Sequence, residues 1–264
     1  MRIGCGVDVV RALDRVRGDE RRWLKRFGRG GPAATRLLCF HHAGGTAAMY
    51  RAWSRELPTH VEAVAVQLPG RADRFTEPPY DRMEPLLDAL VEVLEPVLDR
   101  PFALYGASMG ARVAWALAHA LRERGLPGPE VLHVACCAAP RADPGPPDWT
   151  GCDADLTRYL HDLGGTPDEV LAEPTLMAGL LPTLRADLAV LGGHRGFRPA
   201  APLDVPIHAF AGREDREVPA HRMRGWAEET GAGFALHEVT GGHFFDPAGE
   251  QHVMGTVAAG LGPR

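Results

Sequence analysis

The feature that most constrains the fold is an alternation of short apolar segments with helix-like segments from residue 36 onward. The short segments have the length of strands and are apolar almost throughout, as strands buried on both faces are. Apolar strands that alternate with helices form a parallel sheet with helices on both faces, so the sequence predicts an α/β fold. The predicted strands are Arg36–His41, Ala63–Leu68, Pro101–Tyr105, Val131–Ala138, Ile207–Ala211 and Phe234–Val239. The helices predicted between and after them are Ala47–Leu57, Met83–Leu98, Ala111–Arg124, His221–Thr230 and Gly249–Ala259.

One long interval, residues 140–205, interrupts this alternation. It contains no convincing strand and includes "TLMAGLLPTLRADLAVL", which is rich in Leu, Met and Ala. We interpret it as a helical lid inserted into an α/β core of residues 36–139 and 206–264, because open α/β sheets bind ligands at the carboxyl ends of their strands. An ordinary helical excursion is the alternative. Met177 and Leu181 are candidate lining residues of a substrate channel under the lid.

Residues 1–35 are rich in Arg and Gly, and we assign them to an N-terminal extension and linker, with a helix over Arg11–Phe27. The start lacks the apolar stretch of a signal peptide, and no run reaches the roughly 18 apolar residues of a membrane span. A cytoplasmic location without membrane association is therefore expected.

Charge and cysteine content exclude other classes of protein. A net charge of −5 gives no basic surplus to neutralise phosphates, which argues against nucleic-acid binding. Five cysteines without a Cys-x-x-Cys pair argue against a disulfide framework and against a zinc site. No metal and no cofactor is expected.

The stretch "YGASMG" contains Gly-x-Ser-x-Gly, with Ser108 at its centre. The chain has only two serines but 31 glycines, so the motif alone is a modest signal. Its context adds more, because a strand-like segment precedes it and a helical face follows it. A nucleophilic serine requires this sharp turn from strand to helix, with glycines where side chains would collide. We therefore predict that Ser108 is a nucleophile.

A serine nucleophile needs a base and a group that orients the base, and in this fold they follow in the order Ser, Asp or Glu, His. Asp215 follows the predicted strand at Ile207–Ala211, with Glu214 and Glu217 as nearby alternatives. His243 follows the last predicted strand and two glycines, which allow a tight loop. Asp215 and His243 are the candidate acid and base.

Two backbone N–H groups must stabilise the oxyanion of the tetrahedral intermediate. One is expected from Met109, directly after the nucleophile. The loop "HHAGGT", after the first predicted strand, has the small residues that allow backbone to approach a substrate, and the N–H of Ala43 is the second candidate. The same glycines could instead serve a turn before the next helix, and both interpretations can hold together.

Six motifs, in order and spacing, resemble those of the type II thioesterases of polyketide and nonribosomal peptide assembly lines. The resemblance runs from about Arg22 to the C-terminus. It implies an α/β-hydrolase with a lid, with Ser108, Asp215 and His243 as the triad and Ala43 and Met109 as the oxyanion positions. The motifs are "FHHAGG", "QLPGRADRF", "GASMGA", "LRADLAVL", "AGREDREVP" and "GGHFF".

The resemblance also implies hydrolysis of acyl groups from the phosphopantetheine arm of acyl or peptidyl carrier proteins. A small-molecule carboxylesterase or acyl-CoA thioesterase with the same triad is the nearest alternative. A carrier-binding accessory module with vestigial catalytic residues is the more distant one. Carrier proteins are acidic, so a local cationic patch is expected near the site, with four candidates: Arg71, Arg74, Arg195 and Arg198.

The sequence departs from the family pattern at two positions. The family usually has His before the nucleophile, where this chain has Ala107, and Pro before the His-Ala-Gly-Gly loop, where it has His41. Neither position supplies a triad group, so hydrolysis is still expected, with different packing at the turn.

Overall fold

A computed structural model describes residues 20–28, 33–141, 149–194 and 197–262. Seven strands form one sheet: β1 (Leu24–Lys25), β2 (Thr35–Phe40), β3 (Val61–Val66), β4 (Phe102–Ala107), β5 (Leu132–Ala135), β6 (Ile207–Gly212) and β7 (Phe234–Val239). Their order in the sheet is β1-β3-β2-β4-β5-β6-β7. β1 is antiparallel to β3, and all other neighbours are parallel. The six predicted strands and the α/β fold class are confirmed.

Eight α-helices connect or follow these strands in the described residues, apart from a helical turn before β1. They are α1 (Trp53–Glu56), α2 (Met83–Leu94), α3 (Met109–Glu123), α4 (Asp153–Leu163), α5 (Asp168–Leu171), α6 (Pro174–Gly193), α7 (Ala220–Met223) and α8 (Pro247–Gly260). Short 3₁₀ segments lie at Ala47–Tyr50, Ala72–Arg74, Glu95–Val97 and Arg224–Glu229.

The N-terminal helix was predicted over Arg11–Phe27, and this prediction is wrong at its end. Leu24–Lys25 form the edge strand β1, paired with Val66 and Ala65 of β3. Residues 11–19 of the predicted helix lie outside the described residues. A strand of two residues is too short to show a periodic pattern, so no local pattern indicates it. Strand β1 lies within residues 1–35, which the sequence analysis assigned to an N-terminal extension and linker.

Hydrophobic clusters cover both faces of the sheet. Helices α2 and α3 pack on one face, where α3 is buried along nearly its whole length. The 3₁₀ segment Ala47–Tyr50, α1 and α8 pack on the other face. In a parallel sheet the carboxyl ends of the strands lie at one edge, and β2, β4 and β6 all end in short loops there. These loops carry Ala43, Ser108 and Asp215, and His243 lies on the loop after β7.

The start of α8 is fixed by local chemistry. Asp246 caps the helix, because its side chain accepts a hydrogen bond of 2.7 Å from the backbone N–H of Gly249. Pro247 occupies the first helical position, where no N–H is needed. Both residues set where the helix begins after the loop of His243.

Helices α4, α5 and α6 lie between β5 and β6 and share a hydrophobic cluster of their own, with the buried members Leu156, Leu160, Met177, Leu181, Leu184 and Leu188. We call these three helices the lid. Within the described residues, α6 is the one helix whose length and composition would allow it to cross a membrane. It also packs on the core, because Thr183 donates a hydrogen bond of 2.7 Å to the carbonyl of Gly70.

Candidate active site

Ser108 lies at the sharp turn between β4 and α3. Its backbone has φ 52° and ψ −117°, a conformation that costs energy for a residue with a side chain. Its N–H donates a hydrogen bond of 2.8 Å to the carbonyl of Ala135 on β5, which holds the turn against the sheet. This backbone conformation places the Ser108 hydroxyl at the carboxyl edge of the sheet, in front of the N-terminus of α3.

The two glycines of the motif are required by close backbone approach. A Cβ at Gly106 would lie 2.2 Å from the carbonyl oxygen of Gly110, and a Cβ at Gly110 would lie 2.1 Å from that of Phe40. Side chains at either position would force strand and helix apart. The Gly-x-Ser-x-Gly pattern is therefore a steric requirement of this turn.

His243 connects the serine to a carboxylate. Its Nε2 is 3.1 Å from the Oγ of Ser108, and its Nδ1 is 3.0 Å from Oδ2 of Asp215. The Asp215 side chain is fully buried, and that of His243 is 5% exposed. The structure thus brings together the three side chains that the sequence placed after three different strands. Of the alternative acids, Glu214 and Glu217 are both exposed.

The environment of Asp215 keeps its carboxyl ionised. Burial raises its pKa, but hydrogen bonds from His243 and from the backbone N–H groups of Val218 and Glu217 outweigh burial, and the pKa lies below its ordinary value. Both backbone bonds reach Oδ1 at 2.9 Å. Oδ2 is therefore left free to accept from the imidazole, which fixes the orientation of the ring.

The two oxyanion candidates are positioned by different elements. Met109 is the first residue of α3, so its N–H points out of the helix end, and Ala43 lies in the loop after β2. Within the described residues, neither N–H has an intramolecular acceptor. Backbone donors without an acceptor beside a serine hydroxyl are available to a developing negative charge.

A buried ion pair ties the loop of Ala43 to the lid. Arg71 donates two hydrogen bonds, of 2.7 and 2.8 Å, to the carboxylate of Asp187 on α6. Asp187 also accepts a hydrogen bond of 2.7 Å from the backbone N–H of Gly44. Both side chains are almost completely buried. The sequence analysis missed this role for Asp187, although the residue lies within the motif "LRADLAVL".

Three cavities meet at Ser108 and His243. One, of about 80 Å³, lies between the sheet, the Ala47–Tyr50 segment and α8. A second, of about 50 Å³, lies under the lid and is lined by Leu180 and Leu184 of α6. A third, also of about 50 Å³, is lined by Met109, Leu191 and Arg222. We call the first the inner cavity and the second the lid cavity.

The lid residues named from the sequence lie elsewhere. Met177 and Leu181 are buried in the hydrophobic cluster of the lid, and neither lines any of these three cavities. Leu180 and Leu184, from the same helix, do line the lid cavity. Sequence alone could not choose among these leucines, because helix α6 has apolar residues on all sides.

The predicted cationic patch is wrong for two of its four arginines. Arg71 is buried in the ion pair with Asp187, and Arg74 is buried against Glu77, the carbonyl of Gln67 and the ring of Trp23. Arg198 is exposed, and Arg195 lies outside the described residues. Most arginines are exposed, but a carboxylate partner allows an arginine to be buried.

Cys136 lies beside the hydrogen-bonded pair. Its sulfur and one ligand atom each of Asp215 and His243 lie within 4.8 Å of one another, close enough to surround a metal ion. Burial, however, raises the pKa of the Cys136 thiol well above its ordinary value, so the thiol keeps its proton. Metal ligation requires the thiolate, and the arrangement fits a hydrogen-bonded relay better than a metal site.

The two departures from the family pattern have different surroundings. Ala107 lines the inner cavity, where a larger side chain would take up space beside Ser108. His41 is buried, and burial followed by the charge of Arg71 lowers its pKa well below the ordinary value. One nitrogen, Nδ1, lies 2.8 Å from the carbonyl of His42. His41 is therefore a neutral packing residue under the loop of Ala43.

Comparison with known proteins agrees with this geometry. The family model of the thioesterase domain matches residues 35–260. The curated protein "Linear gramicidin dehydrogenase LgrE" of Brevibacillus parabrevis is 34% identical over 91% of this chain and 92% of its own length. The RedJ thioesterase from the prodiginine biosynthetic pathway of Streptomyces coelicolor is 35% identical, with a TM-score of 0.81 over 87% of this chain and 91% of that one.

The type II thioesterase BorB from the borrelidin biosynthetic cluster is 34% identical, with a TM-score of 0.82 over 91% of this chain and 98% of that one. The name of LgrE describes a dehydrogenase, whereas the family model and both structures are thioesterases. The family model covers most of the chain and includes every residue of the site described above. This chain therefore belongs to the thioesterase family.

Proposed function

We propose that this protein is a type II editing thioesterase, which hydrolyses acyl groups from the phosphopantetheine thiol of carrier proteins through an acyl-enzyme. The observation that carries the proposal is the relay Ser108–His243–Asp215 at a strained turn, with two free backbone donors beside it. The similarity to RedJ and BorB, both named as thioesterases of biosynthetic pathways, supports the substrate class.

In the first half of the proposed reaction, His243 takes the proton of Ser108 as Oγ attacks the thioester carbonyl. Asp215 holds the imidazole in the tautomer that has its proton on Nδ1, and it stabilises the imidazolium that forms. The N–H groups of Ala43 and Met109 stabilise the oxyanion. The carbon–sulfur bond then breaks, and His243 returns the proton to the departing thiol.

In the second half, a water molecule takes the place of the thiol. His243 removes a proton from the water as its oxygen attacks the acyl-serine carbonyl. The same N–H groups stabilise the second tetrahedral intermediate. When this intermediate collapses, the bond to Oγ breaks and His243 protonates the serine, which releases the carboxylic acid and restores the enzyme.

The partner we propose is an acidic carrier protein, docked at the carboxyl edge of the sheet. Two exposed arginines, Arg213 and Arg216, lie on the loop that also holds Asp215. They take the place of the buried Arg71 and Arg74 as the cationic docking residues. Charge complementarity of this kind acts mainly on association and weakens with salt.

The test is incubation of the enzyme with several acyl-carrier proteins, with loss of the acyl group followed by intact mass. The same acyl groups on coenzyme A and on a pantetheine mimic provide the comparison, across a salt series. We expect a higher kcat/KM on the carrier at low salt, and Arg213→Glu with Arg216→Glu should remove that advantage. Equal kcat/KM on all three thiols at every salt concentration would support a small-molecule thioesterase instead.

A further inference from the structure

The inner cavity has an unusual lining for a pocket that would hold only an alkyl chain. It begins at Ser108 and His243 and extends between the sheet and α8. One side consists of aromatic rings, and a single carboxylate, Glu250, lies on another. The aromatic residues are Tyr50, Trp53, Tyr105, Phe244 and Phe245.

Three of these rings form one connected group. The centroids of Trp53 and Tyr105 are 4.5 Å apart, and Tyr50 lies 5.5 Å from Trp53 and 5.9 Å from Tyr105. Tyr50 is held in place by a hydrogen bond of 2.7 Å from its hydroxyl to the carbonyl of Phe40. The faces of such rings attract cations, and grouped aromatic rings are a common way to bind ammonium groups.

Glu250 has no cationic partner within the described residues. No hydrogen bond or ion pair of its carboxylate is found there, and the charged group that influences it is another carboxylate, that of Glu56. Burial, followed by the charge of Glu56, raises the pKa of Glu250 above its ordinary value. Glu250 is an exposed residue that also lines the inner cavity. A cation placed there would gain an ion pair and relieve the repulsion from Glu56.

We propose that the inner cavity is the acyl site and that it selects short acyl groups carrying a protonated amine, such as β- or γ-amino acyl units. The alkyl segment would lie beside Ala107 and the aromatic rings, with the ammonium at the carboxylate of Glu250. The volume of about 80 Å³ restricts the site to short chains. This inference rests on the proposed function, and it leaves the lid cavity for the phosphopantetheine arm.

The test compares β-alanyl with butyryl, an uncharged acyl group of nearly the same shape, on one carrier protein. We expect the wild-type enzyme to favour the amino acyl group in kcat/KM. Glu250→Gln should lower the ratio of the two kcat/KM values by about tenfold, because a charge-assisted contact becomes a neutral one. Glu250→Lys should reverse the preference.

Glu92→Gln is the matched control, because Glu92 is an exposed acid on α2, on the opposite face of the sheet from α8. It should leave the ratio near the wild-type value. An unchanged ratio in both Glu250 variants would overturn the amine site while butyryl hydrolysis still supports the proposed function. A wild-type enzyme that hydrolyses neither carrier-bound acyl group would instead count against the proposed function itself.

Discussion

The carboxylate of Asp187, on the lid helix α6, accepts a hydrogen bond of 2.7 Å from the backbone N–H of Gly44, one residue beyond Ala43. The same carboxylate is held by two hydrogen bonds from Arg71. The lid and the loop that carries the proposed oxyanion donor are therefore connected through one buried ion pair. This connection means that a change in the lid can act on the chemical step.

Asp187→Asn tests this connection. The amide keeps the size of the side chain but leaves Arg71 without its charged partner, and the loop of Ala43 should lose its fixed position. We expect kcat to fall by about tenfold or more with little change in KM, because an oxyanion donor acts in the transition state. Breaking a buried pair should also lower the free energy of unfolding, by about 3–5 kcal/mol.

Steady-state kinetics and urea unfolding measure both effects. Asp162→Asn is the control, because Asp162 is an exposed acid on the lid helix α4. A rise in KM with unchanged kcat would show that Asp187 holds the lid without positioning the loop.

Ser108 can be replaced in two ways that separate chemistry from strain. Ser108→Ala and Ser108→Gly should both lose thioester hydrolysis by orders of magnitude, because triad members act as a unit. The positive φ of 52° is strained for Ala but not for Gly. The greater conformational entropy of glycine in the unfolded chain offsets part of this relief of strain. The Ser108→Gly variant should still be more stable than the Ser108→Ala variant by about 1 kcal/mol.

Acyl-carrier turnover and urea unfolding of the two purified variants check this prediction. Near-wild-type turnover of either variant would disprove the nucleophile, whereas a Ser108→Gly variant less stable than Ser108→Ala by about 0.4–1 kcal/mol, the entropy cost of glycine alone, would show that the turn is not strained.

The strands could be predicted because most of them are apolar over most of their length, whereas the segments between them have a helical period. The sequence also ordered Ser108, Asp215 and His243 after the correct strands, and the structure brings these side chains together, although their roles stay predictions. The buried pair of Arg71 and Asp187 could not be predicted, because its members lie 116 residues apart and each has an ordinary surface interpretation. The two-residue strand β1 was missed because its pairing depends on β3 and leaves no local pattern.

Asp215→Asn should be far more damaging than Glu214→Gln or Glu217→Gln. The amide cannot stabilise an imidazolium, and it favours the wrong tautomer of His243, a loss of up to about 10⁴ in kcat in the best-studied triad. Glu214 and Glu217 are exposed, and within the described residues the hydrogen bond found at Nδ1 of His243 is to Asp215. The kcat of each variant on one acyl-carrier protein decides the matter, and a comparable loss in Glu214→Gln would reassign the acid.

Narrowing the inner cavity and the lid cavity in turn shows which of them holds the acyl chain. Ala107→Val narrows the inner cavity and should penalise butyryl more than acetyl if the acyl chain lies there. Leu180→Trp fills the lid cavity and should lower kcat/KM for all acyl lengths alike if the phosphopantetheine arm lies there. The reverse pattern would place the acyl chain under the lid.

Met177→Trp is the control for the lid. Because Met177 is packed inside the lid cluster, the larger ring should destabilise the protein by about 1–3 kcal/mol without selecting among acyl chains. If this variant did discriminate among acyl chains by their length, Met177 would have to line the substrate channel, as the sequence predicted.

Stability should fall as the pH drops below about 6.5, the ordinary pKa of histidine, because several histidines are buried in the neutral form. Burial, and then repulsion by His208 and His237, lowers the pKa of His133 to about 3. Between those two pH values the unfolded chain binds a proton at this residue that the folded protein does not, so acid favours unfolding. Neither ring nitrogen of His133 has a hydrogen-bond partner among the described residues, so His133→Phe should fold and should make the loss of stability with falling pH less steep. Urea unfolding at a series of pH values from about 7 to 4.5 measures this slope. His221→Gln, at an exposed position, is the matched control, and a wild-type slope in His133→Phe would show that other groups cause the acid sensitivity.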